Sequence, residues 1–334
     1  VLGRLVEVKD HLQNTWTYTY DTLGRNIAKA DPDAGAWTYD YDDAGRLAAQ
    51  IDAKGQATTF EYDAAGRLRF QKIRLTGGAT GTVDEYTENV YGTSPASHNV
   101  GRLVELARKN LAGSDLGGRL SFEYDSQGRV TKQTREIGLQ SYVVEKEYDS
   151  SGYVRGIKYP DGDIVGKVGS VGTPLGYDEV GRPTSIQGFQ GGASYGILNS
   201  VTYNAMGAPL VQTNANGTTT TKAYDPSRFW LTDISTTGPT LLQDLHYTPN
   251  DAGMLLGVDA FGATASNEDW AYEYDGLNRL VGSTNGASAS DNQTWQYDEI
   301  GRIVTNSRVG NYHYPAATNA ARPHAPTTID NGPL

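Results

Sequence analysis

Threonine-rich and aromatic stretches alternate along the chain with short turn sequences. In one interval, residues 46–51 alternate loosely between apolar and polar side chains, residues 52–55 read Asp-Ala-Lys-Gly, and residues 56–62 are rich in Thr and aromatics. Loose alternation and enrichment in β-branched and aromatic residues are typical of strands. Residues 214–217 and 160–162 supply the equivalent turn in other intervals. The pattern therefore predicts about two antiparallel strands in each interval.

Each interval is headed by the sequence Tyr-Asp-x-x-Gly-Arg, which occurs six times in strict form and once with Asn at the glycine position. Successive copies from Tyr20 to Tyr41 and from Tyr41 to Tyr62 begin 21 residues apart. Such a fixed period indicates a repeat architecture. The copies are Tyr20, Asp21, Gly24, Arg25; Tyr41, Asp42, Gly45, Arg46; Tyr62, Asp63, Gly66, Arg67; Tyr124, Asp125, Gly128, Arg129; Tyr177, Asp178, Gly181, Arg182; Tyr274, Asp275, Asn278, Arg279; and Tyr297, Asp298, Gly301, Arg302.

Looser copies begin at Tyr91, Tyr148, Tyr203, Tyr224 and Tyr247, and they extend the array over the whole chain. We therefore predict a single repeat array over residues 1–334, with residues 75–99 as an insertion loop within it. Helix signals are nearly absent, and residues 104–110 are the one short helical candidate. Unequal spacing between copies leaves the curvature of the sheet open.

The residue types of the motif predict a structural role. An Asp after a strand accepts hydrogen bonds from nearby backbone amides and starts a turn. Gly three positions later permits the positive φ that closes a short hairpin loop, and Asn is the best substitute in that conformation. The Arg on the outgoing strand can pair with the Asp or stack on a Tyr ring, in its own hairpin or a neighbouring one.

Composition and charge exclude several classes of function. The chain has 40 Gly and 22 Tyr in 334 residues, no Cys, and a formal net charge of −11. This charge disfavours nucleic acid and anionic lipid, which need a basic face. Without Cys there is no disulfide, thiolate nucleophile or cysteine zinc site. No apolar run approaches the ~18–20 residues that span a bilayer.

Catalytic and cofactor signals have simpler structural explanations. Residues 192–196 match Gly-x-Ser-x-Gly, but that nucleophile motif needs a following helix and residues 197–203 have strand character. The five histidines, His11, His98, His246, His313 and His324, show no metal-ligand spacing. We therefore predict no enzyme activity, no catalytic residue, no cofactor and no metal, with acidic turns such as residues 40–43 and 161–163 serving as turn caps in preference to calcium ligands.

Aromatic residues leave a binding function open. Trp16, Trp37, Trp230, Trp270 and Trp295, together with the tyrosines, could stack on sugar rings. Aromatics at strand positions are more often cross-strand packing partners.

The Tyr-Asp-x-x-Gly-Arg copies resemble those of the YD-repeat, or Rhs-repeat, proteins: bacterial polymorphic Rhs toxins, cocoon subunits of insecticidal toxin complexes and, distantly, the teneurin shell. The resemblance covers nearly the whole chain, and residues 322–325 look like the segment that precedes the Rhs core region. It implies an all-β fold of tandem antiparallel β-hairpin repeats, forming a curved or spiralling sheet that is a section of a hollow β-shell around a C-terminal toxin cargo.

The resemblance also implies partners and a location. The expected partners are the remainder of a larger shell and its enclosed toxin domain, and the expected location is outside a bacterial cell or on its surface. The alternative is a cell-surface carbohydrate-binding or adhesion module built on the same repeats. One departure concerns self-cleavage, which the family associates with an Asp-Pro-x-Gly stretch. The Asp-Pro pairs at residues 31–32 and 225–226 do not continue in that way, so we do not assign self-cleavage to this chain.

Overall fold

A computed structural model describes residues 3–261, 269–315, 322–330 and 332–333 of the chain. The described residues form strands joined by short turns, and two short 3-10 helices lie at Gly78–Thr80 and Ala289–Asp291. The prediction of an all-β fold of tandem antiparallel hairpins is therefore confirmed.

The strands are β1 (Glu7–Lys9), β2 (Thr15–Tyr20), β3 (Asn26–Asp31), β4 (Gly35–Tyr41), β5 (Leu47–Ile51), β6 (Ala57–Tyr62), β7 (Leu68–Arg74), β8 (Glu85–Tyr91), β9 (Leu103–Asn110), β10 (Asp115–Tyr124), β11 (Val130–Ile137), β12 (Gln140–Tyr148), β13 (Val154–Lys158), β14 (Ile164–Val168) and β15 (Val171–Gly172). They continue with β16 (Gly176–Tyr177), β17 (Pro183–Gln190), β18 (Ala193–Tyr203), β19 (Pro209–Asn214), β20 (Thr219–Tyr224), β21 (Leu231–Thr237), β22 (Leu241–Pro249), β23 (Leu255–Phe261), β24 (Trp270–Tyr274), β25 (Leu280–Asn285), β26 (Gln293–Tyr297), β27 (Ile303–Asn306), β28 (Gly310–His313), β29 (Thr328–Ile329) and β30 (Gly332–Pro333).

The chain divides into two compact units, the first comprising residues 1–144, 298–302 and 312–334, and the second residues 145–297 and 303–311. In the first unit, strands β1 to β11 pair antiparallel in chain order. Tyr312 and His313 also pair with β29, which pairs with β30.

In the second unit the antiparallel pairing runs β12–β13–β14–β17 and then in chain order to β28. The short strand β15 pairs with the end of β14, and β16 pairs with the start of β17.

The leading tyrosine of most repeats lies at a β-bulge. In the hairpin of β6 and β7, Glu61 pairs with Phe70 and Tyr62 pairs with Leu68, so Arg69 has no opposite residue. A bulge of this kind bends the strand and re-aims the neighbouring side chains. The same shift in register precedes Tyr20, Tyr41, Tyr91, Tyr124, Tyr148, Tyr177, Tyr203, Tyr224, Tyr274 and Tyr297.

Large apolar side chains contribute little to a buried core in the part of the chain that the structure describes. The buried hydrophobic residues there are Ala49, Ala57, Ala107, Ile164 and Val201. Asn14, Ser283, Asn285 and Asn306 are buried as well, and Asn14 is the largest fully buried side chain. Stability must therefore rest largely on strand pairing and on contacts among half-buried polar and aromatic side chains.

Two segments differ from the reading of the sequence. The prediction of a short helix at residues 104–110 was wrong, because these residues lie in strand β9. Strand β9 pairs with β8 on one side, as in Tyr86↔Lys109, and with β10 on the other, as in Leu120↔Leu106. A short apolar run cannot separate strand from helix by periodicity alone. The expected insertion at residues 75–99 contains strand β8 and the 3-10 helix Gly78–Thr80, so the parts of it outside β8 are residues 75–84 and 92–99.

Candidate functional site

The repeated Tyr-Asp-x-x-Gly-Arg motif forms the same compact node at each hairpin. In the node that begins at Tyr62, the Gly66 amide donates to the Asp63 carbonyl at 2.9 Å, and the Asp63 amide donates to the Arg67 carbonyl at 2.9 Å. The Asp63 carboxylate accepts from the Arg67 amide at 3.0 Å and from Arg67 Nε at 2.8 Å. One aspartate thus caps the turn and holds the arginine in place.

The six strict copies and the copy with Asn278 share this geometry. The carboxylate accepts from the arginine amide at 2.8–3.0 Å and from arginine Nε at 2.6–2.8 Å at Asp21, Asp42, Asp63, Asp125, Asp178, Asp275 and Asp298. Asn278 adopts the positive φ of 63° that the glycine position requires. The sequence prediction that Asn serves there as a glycine substitute is confirmed.

In eight repeats the arginine extends to the next repeat, where its guanidinium lies over the leading tyrosine ring. The guanidinium carbon of Arg46 is 4.4 Å from the Tyr62 ring centroid, and that of Arg67 is 4.1 Å from the Tyr91 centroid. Other repeats show separations of 4.3–5.7 Å, in the pairs Arg4–Tyr20, Arg25–Tyr41, Arg102–Tyr124, Arg182–Tyr203, Arg279–Tyr297 and Arg302–Tyr314. The sequence left two partners open for the arginine, and the structure gives it both: its own aspartate and the next tyrosine.

The tyrosine hydroxyl donates a hydrogen bond to a backbone carbonyl of the preceding repeat. Tyr62 donates to the Leu47 carbonyl at 2.9 Å, and Leu47 directly follows the arginine that stacks on the same ring. The bulge beside the tyrosine aims the ring along the sheet in the direction of its predecessor. Equivalent bonds join Tyr20 to Leu5, Tyr41 to Asn26, Tyr91 to Leu68, Tyr124 to Leu103, Tyr177 to Val154, Tyr203 to Pro183, Tyr224 to Pro209, Tyr274 to Leu255 and Tyr297 to Leu280.

The glycine of the node serves two requirements. Gly128 has φ of 79°, and a Cβ there would lie 1.9 Å from Nη2 of Arg102 in the preceding repeat. Gly66 has φ of 81°, and a Cβ there would lie 3.4 Å from Nη1 of Arg46. The missing side chain therefore both closes the turn and leaves room for the neighbouring guanidinium.

Electrostatics favours the ionised node. The pKa of Asp42 is lowered from 3.8, first by the hydrogen bond from the Arg46 backbone amide; burial opposes this shift as the second-largest effect, and the Arg46 guanidinium adds to the lowering. For Asp298, burial is the largest influence and raises the pKa, but the hydrogen bonds from Arg302 outweigh it and the net shift is downward. The same downward shift occurs at Asp21, Asp63, Asp125, Asp178 and Asp275.

Where the arginine is missing, aromatic residues take its place. Tyr153 occupies the arginine position after Asp149 and stacks on Tyr177 with ring centroids 5.0 Å apart. A Cβ on Gly181 would meet the Tyr153 ring at 2.3–2.4 Å, as it meets a guanidinium in other nodes. Trp230 likewise lies against Gly253, at 3.0 Å from the position of a Cβ there.

Other nodes lose both charges together. Asn204 accepts from the Ala208 amide at 2.9 Å, and Asn250 accepts from the Met254 amide at 3.0 Å, in the way that an aspartate accepts elsewhere. An amide oxygen caps the turn without leaving a carboxylate that has no guanidinium partner. The second of these nodes begins later than the sequence predicts. The register shift that marks a node lies at Pro249, two residues after Tyr247, which the sequence analysis gives as the first residue of this copy.

The other candidates do not form a catalytic centre within the described residues. Residues 193–196, of the Gly-x-Ser-x-Gly match, lie in strand β18, where the nucleophile motif would require a helix. His246 pairs with Asp233 at 2.7 Å and His313 with Asp330 at 2.9 Å, at exposed positions far apart in sequence. Trp270 stacks on Tyr272 and Trp37 lies under Lys29, which are packing contacts within strands or between neighbouring strands.

Within residues 3–261, 269–315 and 322–330, no group of three His, Asp or Glu side chains is arranged to hold a metal ion. Within the same ranges, no helix has the length and apolarity needed to cross a membrane.

The fold and the node together define an all-β tandem-hairpin protein whose repeats are linked by a Tyr-Asp-Gly-Arg node. Comparison with known proteins finds similar repeats. The Rhs repeat model matches residues 1–36 and 41–80. The toxin subunit YenC1 of Yersinia entomophaga is 30% identical over 167 residues, which is 43% of this chain and 17% of that protein.

Solved structures show the same fold. The crystal structure of TcdB2-TccC3 without its hypervariable C-terminal region superposes with a TM-score of 0.78 at 18% identity, over 95% of this chain and 18% of the other. The Photorhabdus luminescens Tc holotoxin pore superposes with a TM-score of 0.74 at 20% identity, over 94% of this chain and 17% of the other. Residues 1–36 and 41–80 thus match the Rhs repeat, and the chain spans less than a fifth of the length of these relatives.

Proposed function

We propose that this chain is a non-enzymatic structural segment of a bacterial toxin-complex shell whose YD repeats enclose a C-terminal toxin cargo. The observation that carries the proposal is the node itself. Each arginine binds the aspartate of its own turn and the tyrosine of the next repeat, and each tyrosine hydroxyl returns to the repeat before it. Such contacts make a self-supporting wall that needs few buried apolar residues.

The similarity to YenC1, a protein named as a toxin subunit, supports placing this wall in a toxin complex. The partners are then the remainder of the shell and the toxin domain that it encloses, and the complex acts after secretion. We propose a role without catalysis because the six strict copies and the Asn278 copy use their aspartate and arginine side chains within the node.

Limited proteolysis of the natural protein that contains this chain tests enclosure. The region that follows the repeats should resist protease in the intact protein under conditions that degrade the same region expressed alone. Equal rates of degradation in the two contexts would contradict enclosure. A matched variant of the whole protein in which Arg302→Met weakens one node should show partial loss of the protection.

A second candidate function, glycan binding, has one specific observation in its favour. A surface recess of about 610 Å³ in the second unit is lined by Tyr159 and Tyr195, both 39% exposed, and by Asp161 and Asp163. The Tyr195 hydroxyl donates to the Asp163 carboxylate at 2.8 Å. Ring faces beside carboxylates can stack on sugars and accept bonds from their hydroxyls.

A glycan array with wild-type protein and the Tyr195→Ala variant tests this second function. Reproducible binding to a defined sugar that Tyr195→Ala abolishes would support it. The control is Tyr142→Ala, which removes a ring that is 46% exposed and does not line the recess. Equal binding by both variants, or no binding by wild-type protein, would count against a sugar site here.

A further inference from the structure

Residues 322–325 dock against the first hairpins of the same unit. The Arg322 amide donates to the Pro32 carbonyl at 2.9 Å, and the His324 amide donates to Asp33 Oδ1 at 2.9 Å. Pro323 is buried between these two anchors. The contacts join positions 291 residues apart in sequence, and they use turns that the repeat motif does not supply.

The His324 side chain is held on three sides. Its Nδ1 lies 2.5 Å from Asp33 Oδ2, its Nε2 lies 3.0 Å from Asp10 Oδ2, and its ring stacks on Trp16 with centroids 5.2 Å apart. The side chain is 25% exposed, and that of Asp10 is 13% exposed. Because the carboxylates face opposite ring nitrogens, they bind the ring itself and do not converge on a common cation.

Only the imidazolium form can donate from both ring nitrogens. A neutral ring would keep one of the two bonds and would turn a lone pair toward the other carboxylate. The other charged groups near the ring do not displace its two carboxylate partners, Asp10 and Asp33. Asp10 is fixed by bonds from Asn14 at 2.7 and 2.8 Å, which leave it ionised at neutral pH.

Other elements around the segment carry both signs of charge. Arg302 donates to the Pro323 carbonyl at 2.6 Å, and Lys54 lines the recess that Asp33 and Arg322 also line. Asp31, at the end of β3, accepts a bond from Trp16 and has Lys29 nearby, and His11 pairs with Glu299 at 2.7 Å. None of these groups replaces the two ring contacts of the histidine.

The docked segment also carries backbone strain. Arg322 has φ of 57°, in the left-handed region that non-glycine residues seldom occupy. Such a conformation persists when surrounding contacts hold it. Loss of the His324 contacts would therefore favour release of the segment, because the strain is relieved at the same time.

We propose that the doubly bonded His324 imidazolium is a pH-sensitive latch, which holds residues 322–325 on the first hairpins of the unit and releases them when the ring loses its proton. The proposal does not depend on enclosure of a cargo. Its consequence for the fold is that the contact of residues 322–325 with the first repeats is lost as the pH rises, whereas the aspartates of the repeat nodes keep their stabilising effect there.

The direction of the pH dependence follows from the contacts. Burial lowers the pKa of His324, but the hydrogen bonds to Asp33 and Asp10 outweigh it, and the net pKa is raised from 6.5. A group with a raised pKa in the folded state contributes its full stabilisation below pH 6.5 and loses it as the pH rises through the raised value. The latch is therefore closed at pH 6.5, where both carboxylates are ionised, and it opens as the pH rises through the raised pKa of His324.

Hydrogen–deuterium exchange of the full chain between about pH 5.5 and pH 9, corrected for intrinsic exchange rates, tests the latch. The amides of Arg322, His324 and Ala325 should lose about tenfold protection across the transition, the factor that corresponds to one charge-assisted hydrogen bond. In His324→Gln, which cannot titrate, protection of the same amides should be low at every pH. A wild-type segment whose protection is independent of pH would overturn the proposal.

A matched control uses a second histidine–carboxylate pair. His246→Gln removes the exposed contact to Asp233 and should leave the exchange of residues 322–325 unchanged. If this variant abolished the pH dependence, His324 would not be the titrating group. A nuclear magnetic resonance titration of the His324 ring gives an independent measure, and a pKa below 6.5 there would also overturn the proposal.

Discussion

Replacing Arg302 with methionine should destabilise the first unit, and a second substitution at its partner should restore part of the loss. Arg302 Nε donates to Asp298 at 2.6 Å, its guanidinium lies 4.3 Å from the Tyr314 ring centroid, and its Nη1 donates to the Pro323 carbonyl at 2.6 Å. With side-chain exposures of 14% for Arg302 and 21% for Asp298, this is the least exposed arginine–aspartate pair among the described strict nodes.

The expected cost follows from these contacts. Removing one member of a pair at this intermediate depth costs about 1–2 kcal/mol, between the values for exposed and fully buried pairs. The stacking on tyrosine adds about 0.5–1 kcal/mol. Arg302→Met should therefore lower the free energy of unfolding by about 2 kcal/mol, and it should raise the pKa of Asp298, because burial remains while the arginine hydrogen bonds are lost.

The chain itself provides the design of the rescue. In the node at Asn250 and Met254, the amide oxygen accepts from the Ala252 and Met254 amides at 2.9 and 3.0 Å. Asp298 accepts from the Ile300 and Arg302 amides at 3.1 and 2.9 Å. Asp298→Asn combined with Arg302→Met recreates the neutral node, so the double variant should regain about 1 kcal/mol relative to Arg302→Met alone.

Urea unfolding, followed in parallel by far-ultraviolet circular dichroism and by fluorescence, measures these differences, and coincident transitions check two-state behaviour. The Asp298→Asn single variant completes the double-mutant cycle. If Asp298→Asn lowered stability as much in the Arg302→Met background as in the wild-type background, the two residues would not be coupled and our account of the node would be refuted.

Three other predictions address the remaining parts of the node. Tyr62→Phe, which removes the bond to the preceding repeat, should cost about 1 kcal/mol, whereas Tyr39→Phe, whose hydroxyl donates to no described residue, should be nearly neutral in the same urea assay. Gly128→Ala should lower the free energy of unfolding more than Gly207→Ala does. Both positions have positive φ, which costs an alanine about 1–2 kcal/mol, but only Gly128 faces a guanidinium. Equal unfolding midpoints would contradict this role of the glycine. The aspartates of the six strict nodes and of the Asn278 node have lowered pKa values, so their contribution to stability is present above pH 3.8 and is lost as the pH falls through their folded-state pKa values. A urea unfolding midpoint that does not fall on acidification would contradict this contribution.

The local half of the node could be predicted from the sequence because it depends on neighbours within five positions. Asp63 and Gly66 define a turn through general rules of side-chain capping and positive φ, and these rules hold in any context. The strands on either side follow from their composition in the same way. A resemblance to YD-repeat proteins could be recognised from the same residues.

The contacts between repeats could not be predicted, because unequal spacing hides which groups meet. Arg67 reaches Tyr91 across the residues 75–84 loop as closely as Arg46 reaches Tyr62 across a regular interval. Tyr153 gives no sign in sequence that it stands in for an arginine. His324 was an isolated histidine until the fold placed it between two aspartates more than 290 residues away.

The node explains how an array with so few buried apolar residues can be stable and still vary in sequence. Each node contacts the repeat before it and the repeat after it, so its contribution is a nearest-neighbour term that does not depend on a common core. A substitution then has to satisfy only two adjacent turns. Tyr153 does so with a stacked ring, and Asn250 with Met254 does so without any charge. Because a change in one repeat is compensated within that repeat and its neighbour, the length and sequence of the array can diverge while successive strands remain paired.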